Sequence, residues 1–305
     1  MLQRGVGISA LVCTFNRPAS VLRVVGSLLA NDHSSFEVIV VDQTEGDATI
    51  RGLIGYRGDP RLRYLRAAVQ SKGTALNIGI AAARSEFIAC TDDDCVVPDN
   101  WLASVAQVFA NHSQAAIIFG EVIAVPYDAE AGFVPAHRPL REGFVDPRFV
   151  KAPDGMGACM AVRRSAIRAL GGFDPAIGPG ATFGSGDDRD IAIRALFAGH
   201  GVFETRSIHV VHHGFRTTAE GRQHARSAWY GMGAIAAKLV KHCRWRVLWF
   251  VADVFVVRAV LPALTDAVRL RRPRGLNRIA AFVIGFARGL RAPTGGESPI
   301  FRLRR

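Results

Sequence analysis

From residue 6 the chain reads VGISALVC, a continuous apolar run of strand length. RPASVLRVVGSLLAN follows, its apolar residues recurring at helical spacing behind Pro18 at a first turn. The alternation then repeats. FEVIVVDQT at 36–44 predicts a second strand ending on Asp42, RLRYLRA a third, GTALNIGIAAAR a helix and EFIACTDDD a fourth strand. Strands that are apolar nearly throughout need cover on both faces, and alternating helices supply it when the strands run parallel. The expected class is α/β: a Rossmann-like, mainly parallel sheet flanked by helices. In such sheets ligands collect at the carboxyl ends of the strands. Asp42 and the triplet Asp92, Asp93 and Asp94 fall there.

Further along, PDNWLASVAQVFAN predicts a helix at 98–111 and AAIIFGEVIAV a strand, whereas 126–153 is irregular and rich in Pro, charge and aromatics. Long segments of that kind inside a domain commonly carry binding determinants. GACMAVRRSAIRALGGF resumes strand and helix, the glycine-rich GPGATFGSGDD leads into the helix RDIAIRALFAG, and VFETRSIHVVHHGFR predicts a strand running into histidines. At 305 residues and 49% hydrophobic composition the chain has ample material for a core, which argues against disorder. Charge divides it. Residues 1–220 hold 21 Lys and Arg against 23 Asp and Glu, but residues 221–305 hold 17 against 3, so the net +12 arises in the second part. Two regions are expected: a catalytic domain over 1–220 and a basic, apolar helical region over 221–305. Cys13, Cys90, Cys95, Cys159 and Cys243 are odd in number and widely spread. They read as small packing side chains in a reducing compartment rather than as disulfides or zinc ligands. The short N-terminal apolar stretch follows a single Arg and lacks a small-residue cleavage site, so a cytoplasmic location is expected.

Three adjacent carboxylates after FIACT repel one another unless a cation relieves them. Hard divalent ions such as Mg²⁺ and Mn²⁺ prefer carboxylate oxygen and commonly bridge one or two carboxylates to substrate phosphates. Asp92, Asp93 and Asp94 therefore read as a metal-binding turn. In GDDRD, Asp190 and Arg194 stand at i,i+4 and form a natural helix pair, while acids in a first turn favour the helix dipole. Asp187 and Asp188 are left as general-base candidates. Among His209, His212 and His213, one imidazole at a strand end can complete a metal shell, and it would suit Mn²⁺ better than Mg²⁺.

Taken in order, VCTFNRP, VVDQT, KGTALNIG, CTDDDCVVPDNWL, GACMAVRRSAIRALGGFDP, GSGDDRDIAIRALFAG and VVHHGFR resemble the successive landmarks of family 2 glycosyltransferases with the glycosyltransferase-A fold, of the membrane-associated bacterial type. The resemblance spans roughly residues 6–216. It implies that Thr14, Asn16 and Arg17 meet the donor base or phosphates, and that Asp42 accepts hydrogen bonds from the base or ribose. Lys72 and Asn77 would pack near the nucleotide, with Asn77 partly structural. Asp92 and Asp94 match the Asp-x-Asp pair, Asp94 as the leading direct ligand of a metal on the diphosphate, and Asp93 would contact the donor sugar or ribose. Asp188 matches the catalytic carboxylate, His212 the late metal-ligand position, with His209 as fallback. Two departures stand out: Gln43 where the family often has an acid or Asn, which bears on the nucleotide base, and Asp187 where Glu is more usual. The implied reaction is metal-dependent (Mn²⁺ or Mg²⁺) transfer of a sugar from a nucleotide-diphosphate donor, a UDP-sugar foremost, to a lipid-linked or polysaccharide acceptor hydroxyl. Asp188 would deprotonate that hydroxyl, with inversion at the anomeric carbon.

Beyond residue 220, RWRVLWFVADVFVVRAVLPALTDAVRLRRPRG mixes bulky apolar residues with Arg, and Asp253, Arg258 and Pro262 interrupt the ~20 apolar residues that a spanning helix needs. An amphipathic helix on an anionic membrane surface is expected instead, with Trp245 and Trp249 near the headgroups; NRIAAFVIGFARGL offers a second. That places the protein peripherally on the inner face of the cell membrane. The competing expectation is that these helices pack on the catalytic domain or form an oligomer contact. Nucleic acid is disfavoured as a partner, because the basic residues interleave with aliphatics rather than stacking aromatics. The alternatives in function are a sugar-phosphate nucleotidyltransferase, which would need a glycine-rich loop where CTFNRPAS stands, and a non-catalytic binding module retaining the fold.

Overall fold

A computed structural model of the chain describes residues 7–146, 155–242, 247–271, 275–295 and 299–302. Cys243, Trp245, the Arg272–Arg274 part of the basic run and residues 147–153 of the irregular segment lie outside the described residues. The first half contains β1 (Ile8–Thr14), α1 (Pro18–Leu29), β2 (Phe36–Asp42), the short α2 (Ala48–Gly52), β3 (Leu62–Arg66), α3 (Lys72–Ala82), β4 (Phe87–Asp92), β5 (Cys95–Val96), α4 (Trp101–Asn111) and β6 (Ala115–Ala124). The two-residue strands β7 (Gly132–Phe133) and β8 (Gly143–Phe144) lie within the irregular segment. They are followed by β9 (Cys159–Arg163), α5 (Arg164–Ala169), α6 (Asp187–Phe197), β10 (Gly201–His212) and β11 (Arg216–Thr217). Helices close the chain: α7 (Thr218–Lys241), α8 (Val247–Val251), α9 (Leu261–Val268) and α10 (Leu276–Arg291).

The main sheet runs β3-β2-β1-β4-β9-β6-β10-β5, with β8 beside β10. Strands β1 to β4 are parallel, as are β6 and β10, which is the mostly parallel α/β arrangement expected. β9 is antiparallel to both β4 and β6. An apolar run carries no direction, so this reversal was not legible in CMAVR. Val21, Val24, Val25 and Leu28 of α1 and Trp101, Leu102 and Val105 of α4 cover one face. Ala75, Leu76 and Ile80 of α3 and Ile191, Ala192 and Ala195 of α6 cover the other. Parallel register aligns the strand ends: Thr14 pairs with Asp42, and Cys13 with Asp92.

The change in charge at residue 220 does not coincide with a break in the chain. Thr217 caps α7 with Glu220 in a reciprocal capping box, and the helix then continues without interruption to Lys241. Its far half joins a third apolar cluster, in which Met232, Ile235 and Leu239 meet Ile177, Phe183 and Ile193 from before β10 and Phe282 of α10. α7 and α10 cross closely. A Cβ at Gly233 would lie 2.0 Å from the Phe282 carbonyl oxygen, and one at Gly285 2.0 Å from that of Tyr230. Residues Val247–Val268 form one helical stretch of 22 residues, long and apolar enough to cross a membrane by length and composition, with a wider π-type turn over Ala252–Val260. This corrects the expectation that Asp253, Arg258 and Pro262 would interrupt it. Asp253 and Arg258 pair at 3.1 Å, and Pro262 follows directly on the wider π-type turn, at the start of α9, without ending the helix.

A buried charge cluster fastens α7 to α6. Lys238, fully buried, places Nζ 2.6 Å from Asp174 Oδ2 and 2.7 Å from Asp190 Oδ1; Asp190 Oδ2 in turn accepts from Arg194 Nε at 2.9 Å. The expected Asp190–Arg194 pair is therefore half of a larger network. Removing one member of such a cluster leaves its partner charged and dry. Lys238→Met is expected to destabilise the protein by about 3–5 kcal/mol in chemical denaturation. Adding Asp174→Asn should recover part of that loss; equal stability of Lys238→Met and wild type would overturn this role.

Candidate active site

β4 ends at Asp92 and turns through Asp93 and Asp94 into β5, whose Cys95 pairs with His212 at the end of β10. That pairing carries the acidic turn to the histidine from the far side of the sheet. His212 Nε2 lies 3.1 Å from Asp94 Oδ1, and the His213 backbone N–H donates to the Asp94 carbonyl at 2.8 Å. Burial works to raise the Asp94 pKa, but the His212 hydrogen bond and the charges of His212, Arg17 and Lys72 bring it down to about 2. Arg17 uses one nitrogen for both Asp93 (3.0 Å) and Asp94 (2.9 Å). Thr14 donates to Asp93 at 2.7 Å. Burial outweighs these two donors and leaves Asp93 above the ordinary aspartate value.

The second acidic group arrives from α6. Gly186, at φ 125°, turns the chain into the helix so that Asp187 and Asp188 open it. Asp188 is half-buried, and its carboxylate accepts from the backbone N–H groups of Gly157 (2.9 Å) and Arg189 (2.7 Å). Asp187 is buried; burial first, and then the charge of Asp188, push its pKa up to about 7 despite Lys72 nearby. Lys72 links the two acidic groups. Its Nζ is 2.5 Å from Asp92 Oδ1, and although burial opposes its charge, Asp92, Asp187 and Asp188 hold its pKa well above the usual lysine value.

A cavity of about 560 Å³ opens on Lys72 and the Asp92–Asp94 turn; Asp187, Asp188 and His212 do not line it. Thr14, Arg17, Lys72 and Asp92 to Asp94 line it, with Phe15, Gln43 and Gln70 near the ends of β1 to β3. Arg216, Glu220, Gln223, His224 and Ser227 line it from β11 and α7. This last set was missed in the sequence, where residue 220 looked like a boundary. The available signal was a polar stripe at i, i+3, i+4 and i+7 along α7. Burial, followed by the charge of Arg216, lowers the His224 pKa and favours its neutral imidazole.

Several expected residues sit elsewhere. Asp42, expected at the base or ribose, has no exposed surface. Its two oxygens accept from the Thr44 N–H (2.9 Å) and the Tyr64 hydroxyl (2.7 Å). Asn16 adopts φ 55°, is exposed, and gives its backbone N–H to Thr44 Oγ1. Asn77 clamps the Phe173 backbone, donating to its carbonyl and accepting from its N–H, both at 2.8 Å. His209 pairs with Glu121 between β10 and β6, away from the acidic turn.

Asp94, His212 and Cys95 offer ligand atoms within 4.8 Å of one another. His212 is buried, with no hydrogen-bond partner for Nδ1 among the described residues. Gly214 leaves room at this point, since a Cβ there would lie 2.3 Å from Asp94 Oδ2. Carboxylate and imidazole suit a divalent metal. Burial raises the Cys95 thiol pKa, so it remains a thiol and a packing group, as expected of the cysteines. Asp92 lies on Lys72 rather than in this cluster.

A sequence model of the family described as Glycosyl transferase family 2 matches residues 9–171. The succinoglycan biosynthesis protein ExoO of Rhizobium meliloti (strain 1021) is 32% identical over 120 residues, covering 39% of this chain and 34% of ExoO. The pre-mycofactocin glycosyltransferase of Mycobacterium tuberculosis (strain ATCC 25618 / H37Rv) is 29% identical over 232 residues, covering 72% of this chain and 45% of that protein. The chain spans less than half of the length of the curated relatives it matches. Among solved structures, the mannosyltransferase PcManGT from Pyrobaculum calidifontis, in complex with GDP-Man and Mn2+, superposes with a TM-score of 0.60 at 18% identity. The match covers 94% of this chain and 88% of that one, and the two share a fold.

The raised Asp187 pKa makes stability depend on pH with a definite sign. Below the ordinary aspartate value both folded and unfolded chains hold the proton; from about pH 4 to 7 only the folded chain does. Stability from this group therefore falls as pH rises through that window. In EDTA, Asp187→Asn should remove the fall, gaining on the order of 1 kcal/mol on wild type between pH 5 and 8. Parallel melting curves across that range would contradict the assignment.

Proposed function

The chain belongs to glycosyl transferase family 2, and we propose that it is a nucleotide-sugar-dependent glycosyltransferase. On this reading it works with Mn²⁺ or Mg²⁺ and transfers sugar, with inversion, to a hydroxyl of a lipid-linked or polysaccharide acceptor. The observation that carries the reading is a cavity lined by Lys72 and Asp92 to Asp94, with His212 against Asp94 and with the charges of Asp187 and Asp188 acting on Lys72. Relatives named for succinoglycan synthesis and for sugar transfer to pre-mycofactocin support the reaction class.

Asp188 is the base. It is the less buried member of its pair, and two backbone N–H groups orient it, whereas burial pushes the Asp187 pKa up to about 7. The acceptor O–H proton passes to the Asp188 carboxylate as the acceptor oxygen bonds to the anomeric carbon. The bond from that carbon to the diphosphate oxygen breaks, and its electron pair leaves with the nucleoside diphosphate. Attack from the face opposite the leaving group inverts the centre. Lys72 and Arg216 line the cavity with positive charge for the departing diphosphate. Asp94 and His212 would hold a divalent cation that supplies Lewis-acid charge to the same leaving group. Arg17 and Thr14 keep Asp93 and Asp94 in position.

Residues 1–220 together with the first turns of α7 form the catalytic unit in this reading, and the helices that follow carry a surface for the cytoplasmic face of an anionic membrane. Leu248, Trp249, Val256, Val257, Leu261 and Leu264 are exposed along the 247–268 helix, and Arg269 and Arg271 follow it. Exposed apolar residues beside cationic ones are what an interfacial helix presents to acidic lipid.

Asp188→Asn should reduce transfer by about 10²- to 10⁴-fold while UDP binding in the presence of Mn²⁺ is kept. Near-normal turnover would overturn the base assignment. The full chain should sediment with vesicles containing phosphatidylglycerol, and Trp249→Glu/Leu261→Glu/Leu264→Glu should largely remain in solution; equal partition would remove the membrane role. A truncation at residue 221 is a poorer probe, because it uncovers Phe183 and Ile193.

A further inference from the structure

The loop that delivers Asp187 and Asp188 has little conformation of its own. Gly178, Gly180, Gly184 and Gly186 adopt φ of 120°, 79°, 71° and 125°, and glycine loses more freedom on ordering than any other residue. Contacts from outside must therefore hold it. On the inner side Pro179, Gly180 and Ser185 line the cavity. The Pro179 carbonyl accepts from the Lys72 backbone N–H at 3.1 Å, and the Pro175 carbonyl from the Ser71 hydroxyl at 2.8 Å. A Cβ at Gly178 would lie 3.2 Å from the Asp187 side chain, so the loop also touches the start of α6.

On the outer side the loop sends Phe183, the one aromatic residue between Asp174 and Asp188, into the third apolar cluster. Its ring meets Phe301 there, with centroids 4.4 Å apart. Phe301 is buried and reaches this place because the chain turns back after α10. Thr294 and Phe301 form an antiparallel bridge, the Gly295 N–H donates to the Ile300 carbonyl at 2.7 Å, and the Arg302 N–H donates to the Pro293 carbonyl at 2.9 Å. The Phe301 backbone N–H also donates to Asp174 Oδ2 at 3.0 Å, beside Lys238, whose Nζ stands 5.3 Å from the centre of the Phe301 ring. Residue 301 thus grips the loop twice, by its main chain at Asp174 and by its ring at Phe183.

We propose that Phe301 is a positioning residue for the transfer reaction: its ring holds Phe183, and through Phe183 the glycine-rich loop that leads into Asp188. The inference rests on the glycosyltransferase reading and extends it to a residue far along the chain from the base. A base acts only within hydrogen-bond reach of the proton it takes, so a loosened loop costs turnover. The acidic turn is held by other elements: Lys72 holds Asp92, Thr14 and Arg17 hold Asp93, and His212 holds Asp94. Loss of the ring should therefore act on kcat and spare donor binding. Side-chain replacement keeps the N–H donated to Asp174, so variants at this position isolate the ring.

The test uses the full chain with MnCl₂ and, from a panel of nucleotide sugars, the donor that wild type hydrolyses fastest, with water in place of the acceptor. In Phe301→Ala the backbone amides of 178–186 should exchange with deuterium about tenfold faster. Its kcat should fall by about ten- to a hundredfold, with donor KM held within about twofold. Phe301→Leu, which refills most of the space, should recover most of kcat and most of the protection. Phe255→Ala opens the same cluster where Phe255 stacks on Phe282 at 4.9 Å, and should lower the melting temperature while keeping kcat. An unchanged kcat in Phe301→Ala, or an equal loss of kcat in Phe255→Ala at the same melting temperature, would reduce Phe301 to packing and overturn the inference while leaving the glycosyltransferase reading intact. A wild type that hydrolyses no donor in the panel would overturn that reading and this inference with it.

Discussion

Asp92, Asp93, Asp94, Asp187 and Asp188 crowd one end of the sheet, and two like charges ~4 Å apart repel by about 4 kcal/mol even at an effective dielectric constant near 20. The surrounding fold answers each of them separately. Lys72, at the start of α3, takes Asp92; Thr14 and Arg17, from the end of β1, take Asp93; His212, from β10, takes Asp94. Backbone N–H groups hold Asp188, and burial pushes the Asp187 pKa up to about 7. Neutralisation by several distant elements explains why such a concentration of charge persists in a folded chain.

The same device recurs one helix away. Lys238 sits between Asp174 and Asp190, with Arg194 completing Asp190, and draws α7 onto α6. Because α7 is one continuous helix, fastening its far half also fixes its near half, where Glu220, Gln223, His224 and Ser227 line the cavity. The basic tail is thus joined to the cavity at one end and exposes its apolar helix at the other. Close crossing through Gly233 and Gly285 binds α10 into the same layer.

Periodicity made most of the sheet legible, because strands buried on both faces are written as continuous apolar runs: ISALVCT, FEVIVVD and FIACTD appear nearly as read. β9 was legible as a strand but not as an antiparallel one, since its direction depends on how the preceding segment returns. Lys72, Asp94, Asp188 and His212 stood out in local motifs, and the structure brings His212 to Asp94 and Lys72 to Asp92. The α7 stripe was not, because the composition changes at residue 220 while the helix does not. Asp42 was legible as the end of a strand, but its withdrawal behind Tyr64 and Thr44 depends on neighbours far along the chain.

The sequence by itself determined the α/β class, the order of the elements and which residue types carry the chemistry, because side-chain alternation, helix spacing and local motifs are short-range properties. Only the tertiary structure decided which carboxylates are ionised, which are hidden and which face the cavity. Burial and hydrogen bonding by distant elements set those properties, and they separate Asp187 from Asp188, and Asp42 from Gln43, although each pair is adjacent in the chain.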